Sequence, residues 1–171
     1  TDLLAVEARE PGAFSIEPMG CSEDLHAGQL VDRVGVLLGC GFPAGKEMEA
    51  MARQAANRDL RIPASVRELT CSLSGAETAA QRALHQGAEP SEVAFGIYDL
   101  LARTLTKLLT NAARQRGERP VLLCGGVASS QLLRELLHQR CELPLFFGES
   151  RYSSDNAVGV AAMGYDREVA L

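Results

Sequence analysis

The sequence has no long hydrophobic run: nothing in its 171 residues approaches the roughly 20 consecutive apolar residues of a membrane-crossing helix. It has no C-x-x-C pair, so the spacing that marks zinc ribbons and dithiol redox sites is absent. Its five cysteines, at 21, 40, 71, 124 and 141, are odd in number and scattered, which reads as reduced thiols of a cytoplasmic protein and not as a disulfide framework. His26, His85 and His138 are too far apart to form a metal-binding pair by spacing alone. No H-E-x-x-H occurs, and no Ser-His-Asp or Cys-His order is evident, so a peptidase has no support. Positive charge is also in short supply. The net charge of −5 argues against a chain that coats itself in nucleic acid unaided.

What is present fits one folded α/β domain spanning residues 1–171, with 46% hydrophobic and 23% charged residues. The start, TDLLAVEARE, is strand-like from its first residue, as if cut from a longer chain. Leu3–Ala8 and Phe14–Met19 read as strands of a hairpin turning at Pro11-Gly12. Helical spacing predicts helices over 24–38, 46–57 and 91–116, with Gly39 and Gly117 as stops for the first and last. Residues 66–73 read as a short extended segment. Ser74 and Glu77 have the form of a capping box opening a helix that ends at Gly87. The last third alternates strand (121–124), helix (129–139), strand (143–147) and helix (156–165), which implies parallel strands with helical crossovers. A hairpin feeding such a unit predicts a mixed sheet with flanking helices.

Two places on that plan invite a ligand. Gly125-Gly126 ends a strand, where ligands of parallel sheets gather, and the helix behind it offers unpaired amides that suit a phosphate. The alternative is a tight turn capped by Ser129 or Ser130. Asp155 holds the equivalent place after the next strand, either as an N-cap or as a carboxylate for a divalent metal. Asp32, within the first helix, reads from periodicity as a solvated charge, and Gly45 as a helix-start glycine.

Five blocks of the chain resemble, in order, the C-terminal half of the TsaD family of tRNA threonylcarbamoyladenosine synthases, long labelled O-sialoglycoprotein endopeptidases or M22 glycoproteases. They are TDLLAVE, HAGQLVDRVGVLLGCGFPAG, CSLSGAETA, CGGVASSQLLREL and SSDNAVGVAAMGY. The resemblance implies one lobe of the actin/Hsp70/sugar-kinase fold, lacking its first strand, in an enzyme that moves threonylcarbamoyl from its adenylate to the tRNA adenosine beside the anticodon. It implies adenine nucleotide contacts at Asp32 and Gly45, a phosphate-side approach at Gly125, Gly126 and Ser130, and a metal ligand at Asp155. Iron, zinc or magnesium would be the metal; tRNA and a TsaB-like protein would be the partners. The isolated lobe should be inactive.

The chain also departs from the family. Ser130 stands where the family has Asn, Gln29 where it has Glu and Arg33 where it has Lys. Pro43-Ala44-Gly45-Lys46 replaces P-G-G-P, and the family's H-x-x-x-H metal pair belongs to a half absent here. These departures favour, as the rival reading, a non-catalytic paralogue that senses a nucleotide or binds a protein. The missing strand would leave Leu3–Ala8 as an open edge, which predicts either a homodimer or internal pairing of that edge.

Overall fold

Helix α4, Pro90–Arg116, is the axis of the molecule in a computed structural model that describes residues 1–153 and 157–169. Pro90 opens it, where a missing amide costs nothing, and Gly117 follows it at φ 81°. Val93, Ile97, Leu100, Leu101 and Leu108 are buried along it, the stripe that its spacing predicts. Around it pack α1 (Ala27–Leu37), α2 (Gly45–Arg53), α3 (Ser74–His85) and α5 (Gln131–Arg140). Together these helices bury Leu30, Val34, Met48, Leu133 and Leu137 almost completely.

The strands form three two-stranded sheets among the described residues. β1 (Asp2–Glu10) and β2 (Ala13–Cys21) make the predicted hairpin; β3 (Ser65–Arg67) and β4 (Thr70–Ser72) make a second, tighter one. β5 (Val121–Leu123) and β6 (Leu145–Phe147) run parallel. The expected single mixed sheet is therefore present as separate pieces. The hairpin meets the approach to β5 through the Arg119–Glu7 ion pair at 3.4 Å. An arginine spans far more than the ~4.8 Å between paired strands, so the two pieces touch without sharing a ladder. Helix α6 (Ala157–Val169) closes the chain beside the hairpin tip: a Cβ at Gly12 would lie 2.2 Å from the Met163 carbonyl oxygen. No helix among the described residues is long and apolar enough to cross a membrane.

One side chain ties the α1 entry to α3. The helix predicted from Asp24 starts instead at Ala27, because Asp24 turns away to cap α3. Its carboxylate accepts from the Leu73 amide at 2.8 Å, the Ser74 amide at 3.2 Å and the Ser72 hydroxyl at 2.6 Å. Burial pushes its pKa up, but the hydroxyls of Ser72 and Ser74 and the amides of Leu73 and Leu25 outweigh that and hold it far below the usual carboxylate range. The expected capping box at Ser74 is not used; Glu77 instead pairs with Arg33 at 3.2 Å. Asp24→Ala is expected to cost about 1–2 kcal/mol and lower the melting temperature by roughly 3–6 °C, read by thermal denaturation. The cap's stability is fully present above the unfolded carboxylate's pKa and is lost only as pH falls toward the depressed folded value. The deficit of Asp24→Ala should therefore be constant from about pH 7 to 5 and shrink only in stronger acid.

Candidate functional site

Parallel pairing in the register Val121↔Leu145, Leu122↔Phe146 and Leu123↔Phe147 brings the segments after both strands to one rim. The Gly148 amide donates to the Leu123 carbonyl at 2.8 Å and continues that alignment past the strands. After β5 comes the diglycine bend. Gly125 has φ 104°, a conformation open to glycine and strained for any L side chain. A Cβ built on Gly125 or on Gly126 would meet no atom of the described residues within 4 Å. Among the described residues, none fills the space beside the bend.

Arg134 braces it. Its Nε donates to the Ala128 carbonyl at 2.7 Å and an Nη to the Gly148 carbonyl at 2.9 Å, while the guanidinium lies 4.9 Å from the Phe147 ring centroid. One side chain therefore fixes the loop after β5 to the loop after β6. Asp155, the other residue expected at this rim, lies outside the described residues.

The start of α1 stands next to the bend, since a Cβ at Gly28 would sit 3.7 Å from a Val127 methyl. One turn along, half-buried Asp32 accepts from the Ala44 amide at 2.8 Å through Oδ1. That bond fixes the N-terminus of α2 at Gly45. The Gly45 carbonyl accepts from the Tyr98 hydroxyl at 3.0 Å. Tyr98, from the middle of α4, is 1% exposed. Burial, then the charge of Glu49, raises its pKa well above the ordinary phenol value, against a hydrogen bond with Ser130 that lowers it. Tyr98 is thus a fixed donor to Gly45 within the core.

Ser130 is the N-cap of α5: it is buried, and its Oγ accepts from the Leu133 amide at 3.2 Å. Glu49 Oε1 accepts from the Leu132 amide at 2.8 Å. Sequence reasoning expected this helix end to offer free amides to a phosphate; Ser130 and Glu49 occupy those two. What stays open is the glycine backbone preceding it. Arg53 holds Glu49 at 3.3 Å and Glu135 at 2.9 Å, clamping α2 to α5.

Asp32 and Gly45 are therefore linked through Ala44, and Gly125, Gly126 and Ser130 through Val127, which lies beside Gly28 on α1. The departures at 29 and 33 have local uses: Gln29 Oε1 accepts from the His26 amide at 3.0 Å, and Arg33 pairs with Glu77. Sequence reading missed Asp24, Glu49, Tyr98 and Arg134. The one available signal was Arg134, within the CGGVASSQLLREL block. Among the described residues no three His, Cys, Asp or Glu side chains converge as a metal set. All five cysteines are free, and burial raises the pKa of the Cys40 and Cys71 thiols. A separate cavity of about 400 Å³, with Arg58, Phe95 and Glu135 in its lining and Asp99 held there by Arg103 and Arg140, contains none of the site residues.

The fold is one shared with segments of larger solved proteins. It superposes on HypF from T. kodakarensis with a TM-score of 0.68 at 23% identity, covering 83% of this chain and 20% of that one. It superposes on the activator of 2-hydroxyisocaproyl-CoA dehydratase from Clostridium difficile, solved with bound ADPNP, with a TM-score of 0.62 at 14% identity, covering 92% and 53%. The family model of TsaD, tRNA N6-adenosine threonylcarbamoyltransferase, matches residues 6–162, and the chain belongs to that family. A probable bifunctional tRNA threonylcarbamoyladenosine biosynthesis protein from Methanothermobacter thermautotrophicus is 30% identical over 82% of this chain. A tRNA N6-adenosine threonylcarbamoyltransferase from Methanopyrus kandleri is 32% identical over 83%. The chain spans only 27% and 39% of the lengths of these two relatives.

Proposed function

We propose that this chain is the C-terminal lobe of a TsaD-like transferase and forms one wall of a cleft for threonylcarbamoyl-adenylate. The observation that carries this reading is the diglycine bend set beside the helix that carries Asp32 and, through Ala44, Gly45. The nucleoside would lie against Asp32 and Gly45. Asp32 Oδ1 is fixed by the Ala44 amide, which leaves the other oxygen for a ribose hydroxyl. The phosphate would approach the backbone at Gly125-Gly126, where no Cβ intervenes. Ser130 would act as a positioning residue, holding the start of α5 behind the bend.

In the reaction, the exocyclic amine of the tRNA adenosine attacks the carbamoyl carbon of the adenylate. A C–N bond forms, the C–O bond to phosphate breaks, the amine gives up a proton, and AMP leaves with the electron pair. The chain's part is orientation: fixing nucleoside and phosphate leaves the carbamoyl carbon exposed to the amine. A divalent metal, when bound, would supply charge stabilisation at the phosphate. Asp155 is the proposed carboxylate facing it. The described residues do not complete a ligand set. In the intact protein, a TsaB-like partner and tRNA would complete the assembly.

Two measurements test the reading. The 171-residue chain alone is expected to give no threonylcarbamoyl transfer to tRNA; clear turnover would overturn the one-wall account. Calorimetry of the intact protein is expected to show ADP binding; a folded protein with no heat of binding would overturn the nucleotide cleft.

A further inference from the structure

The diglycine bend is held weakly by its own hydrogen bonds. The Ser129 amide donates to the Gly126 carbonyl at 3.2 Å and the Ser130 amide to the Val127 carbonyl at 3.1 Å. The Ser129 hydroxyl reaches the Gly125 carbonyl only at 3.4 Å. These lengths lie at or beyond the long end of the normal range, and two successive glycines leave the backbone very free. Among the described residues, none accepts from the Gly125 or Gly126 amide. Two donors therefore stand unspent at the strand end, and the bend's own bonds fix their direction poorly.

The short bonds come from outside the bend. Arg134 donates from Nε to the Ala128 carbonyl at 2.7 Å and from an Nη to the Gly148 carbonyl at 2.9 Å. An ionised donor makes these the stronger pair. The Phe147 ring, its centroid 4.9 Å from the guanidinium carbon, steadies the fork from one side. In a trans peptide the carbonyl and the following amide point in opposite directions. By holding the Ala128 and Gly148 carbonyls, Arg134 thus orients whole peptide planes in the loops after β5 and after β6.

We infer that Arg134 is a positioning residue for the phosphate end of the site. It acts through the Ala128 and Gly148 carbonyls and holds the Gly125 and Gly126 amides where one anion can accept from both. Arg134 does not meet the ligand itself. Its side-chain bonds reach only the two loops at the rim, so its influence falls on the phosphate and spares the nucleoside edge at Asp32 and Gly45. The inference deepens the transferase reading and rests on it.

Calorimetry of the intact protein with adenosine and with ADP tests it, because only ADP carries the group that the bend would hold. The wild type is expected to bind ADP more tightly than adenosine. Arg134→Gln is expected to weaken ADP binding by about tenfold and to leave adenosine within about twofold, the loss of one charge-assisted hydrogen bond to phosphate. A merely structural role would lower the melting temperature and leave the ratio of the two affinities unchanged. That unchanged ratio in a folded variant, or a wild type that binds both ligands equally, overturns the inference and spares the nucleoside edge. A wild type that binds neither ligand overturns the nucleotide cleft and the inference with it. Should Arg134→Gln not fold, Arg134→Lys decides. Its single ammonium keeps the charge but cannot reproduce the fork, so ADP affinity is expected to fall about fivefold with adenosine unaffected. Full ADP affinity in that variant overturns the inference.

Discussion

Gly126→Ala is expected to leave the fold untouched and to weaken adenine nucleotide binding by the intact protein by about 100-fold. The two halves of that expectation come from different facts. Gly126 has φ −58° and ψ −43°, a conformation that alanine adopts without strain, and its Cβ would meet none of the described residues within 4 Å. Thermal stability should therefore stay within about 0.5 kcal/mol of wild type, or rise slightly as the unfolded chain loses freedom. The same methyl group would stand where the proposed phosphate must approach, and losing that contact costs about 2–3 kcal/mol of binding, hence the 100-fold. Calorimetry with ADP beside a melting curve reads both. Equal affinity in the variant would mean that the glycine serves only the turn. Gly125 is the poorer probe, because at φ 104° any side chain strains the backbone and binding would fall for an unrelated reason.

Tyr98→Phe is expected to cost about 2 kcal/mol of stability, from the loss of one buried, well-partnered hydroxyl, and to lower the melting temperature by roughly 4–8 °C. The phenol donates to the Gly45 carbonyl inside the core, so its removal leaves that carbonyl without its donor. Because the Ser130 side chain influences the Tyr98 phenol, Tyr98→Phe and Ser130→Ala should be non-additive: the double variant should fall short of the summed losses by at least about 0.5 kcal/mol. Fully additive losses would mean that the two residues stabilise the protein separately. The phenol stays protonated throughout the neutral range, so neither effect should vary between about pH 6 and 9.

Where regular spacing decided the structure, the sequence was a good guide. Five apolar positions on α4 repeat with the helical period, and Gly39, Gly87 and Gly117 follow their helices at φ 90°, 88° and 81°. The hairpin turning at Pro11-Gly12 and the alternation of the last third were equally legible. Distant partners were not. The capping box at Ser74 fits the local pattern, yet a carboxylate fifty residues upstream takes the amides, because Asp24 reaches both Leu73 and Ser74. The reversal between β3 and β4 carries no glycine; Glu68 takes the left-handed conformation at φ 51°, which no turn rule anticipates. Separate sheets in place of one mixed sheet reflect strand neighbours, which periodicity does not encode.

The site divides along the same line. The diglycine bend could be read directly, because two glycines between a strand and a helix have few uses. Asp32 looked like a solvated charge; its role at Ala44 depends on α2 folding back across it. Tyr98 and Glu49 lie in ordinary helical text and acquire meaning only when α2, α4 and α5 converge. Ser130 reads from the resemblance as a ligand contact; in the folded chain its hydroxyl accepts from the Leu133 amide.

The most direct test is a crystal structure of the intact protein with a non-hydrolysable threonylcarbamoyl-adenylate analogue. The account predicts the nucleoside against Asp32 and Gly45, with the phosphate within hydrogen-bonding distance of the Gly125-Gly126 backbone. An analogue bound away from both, or a bend filled by the protein's own packed side chains, would contradict it.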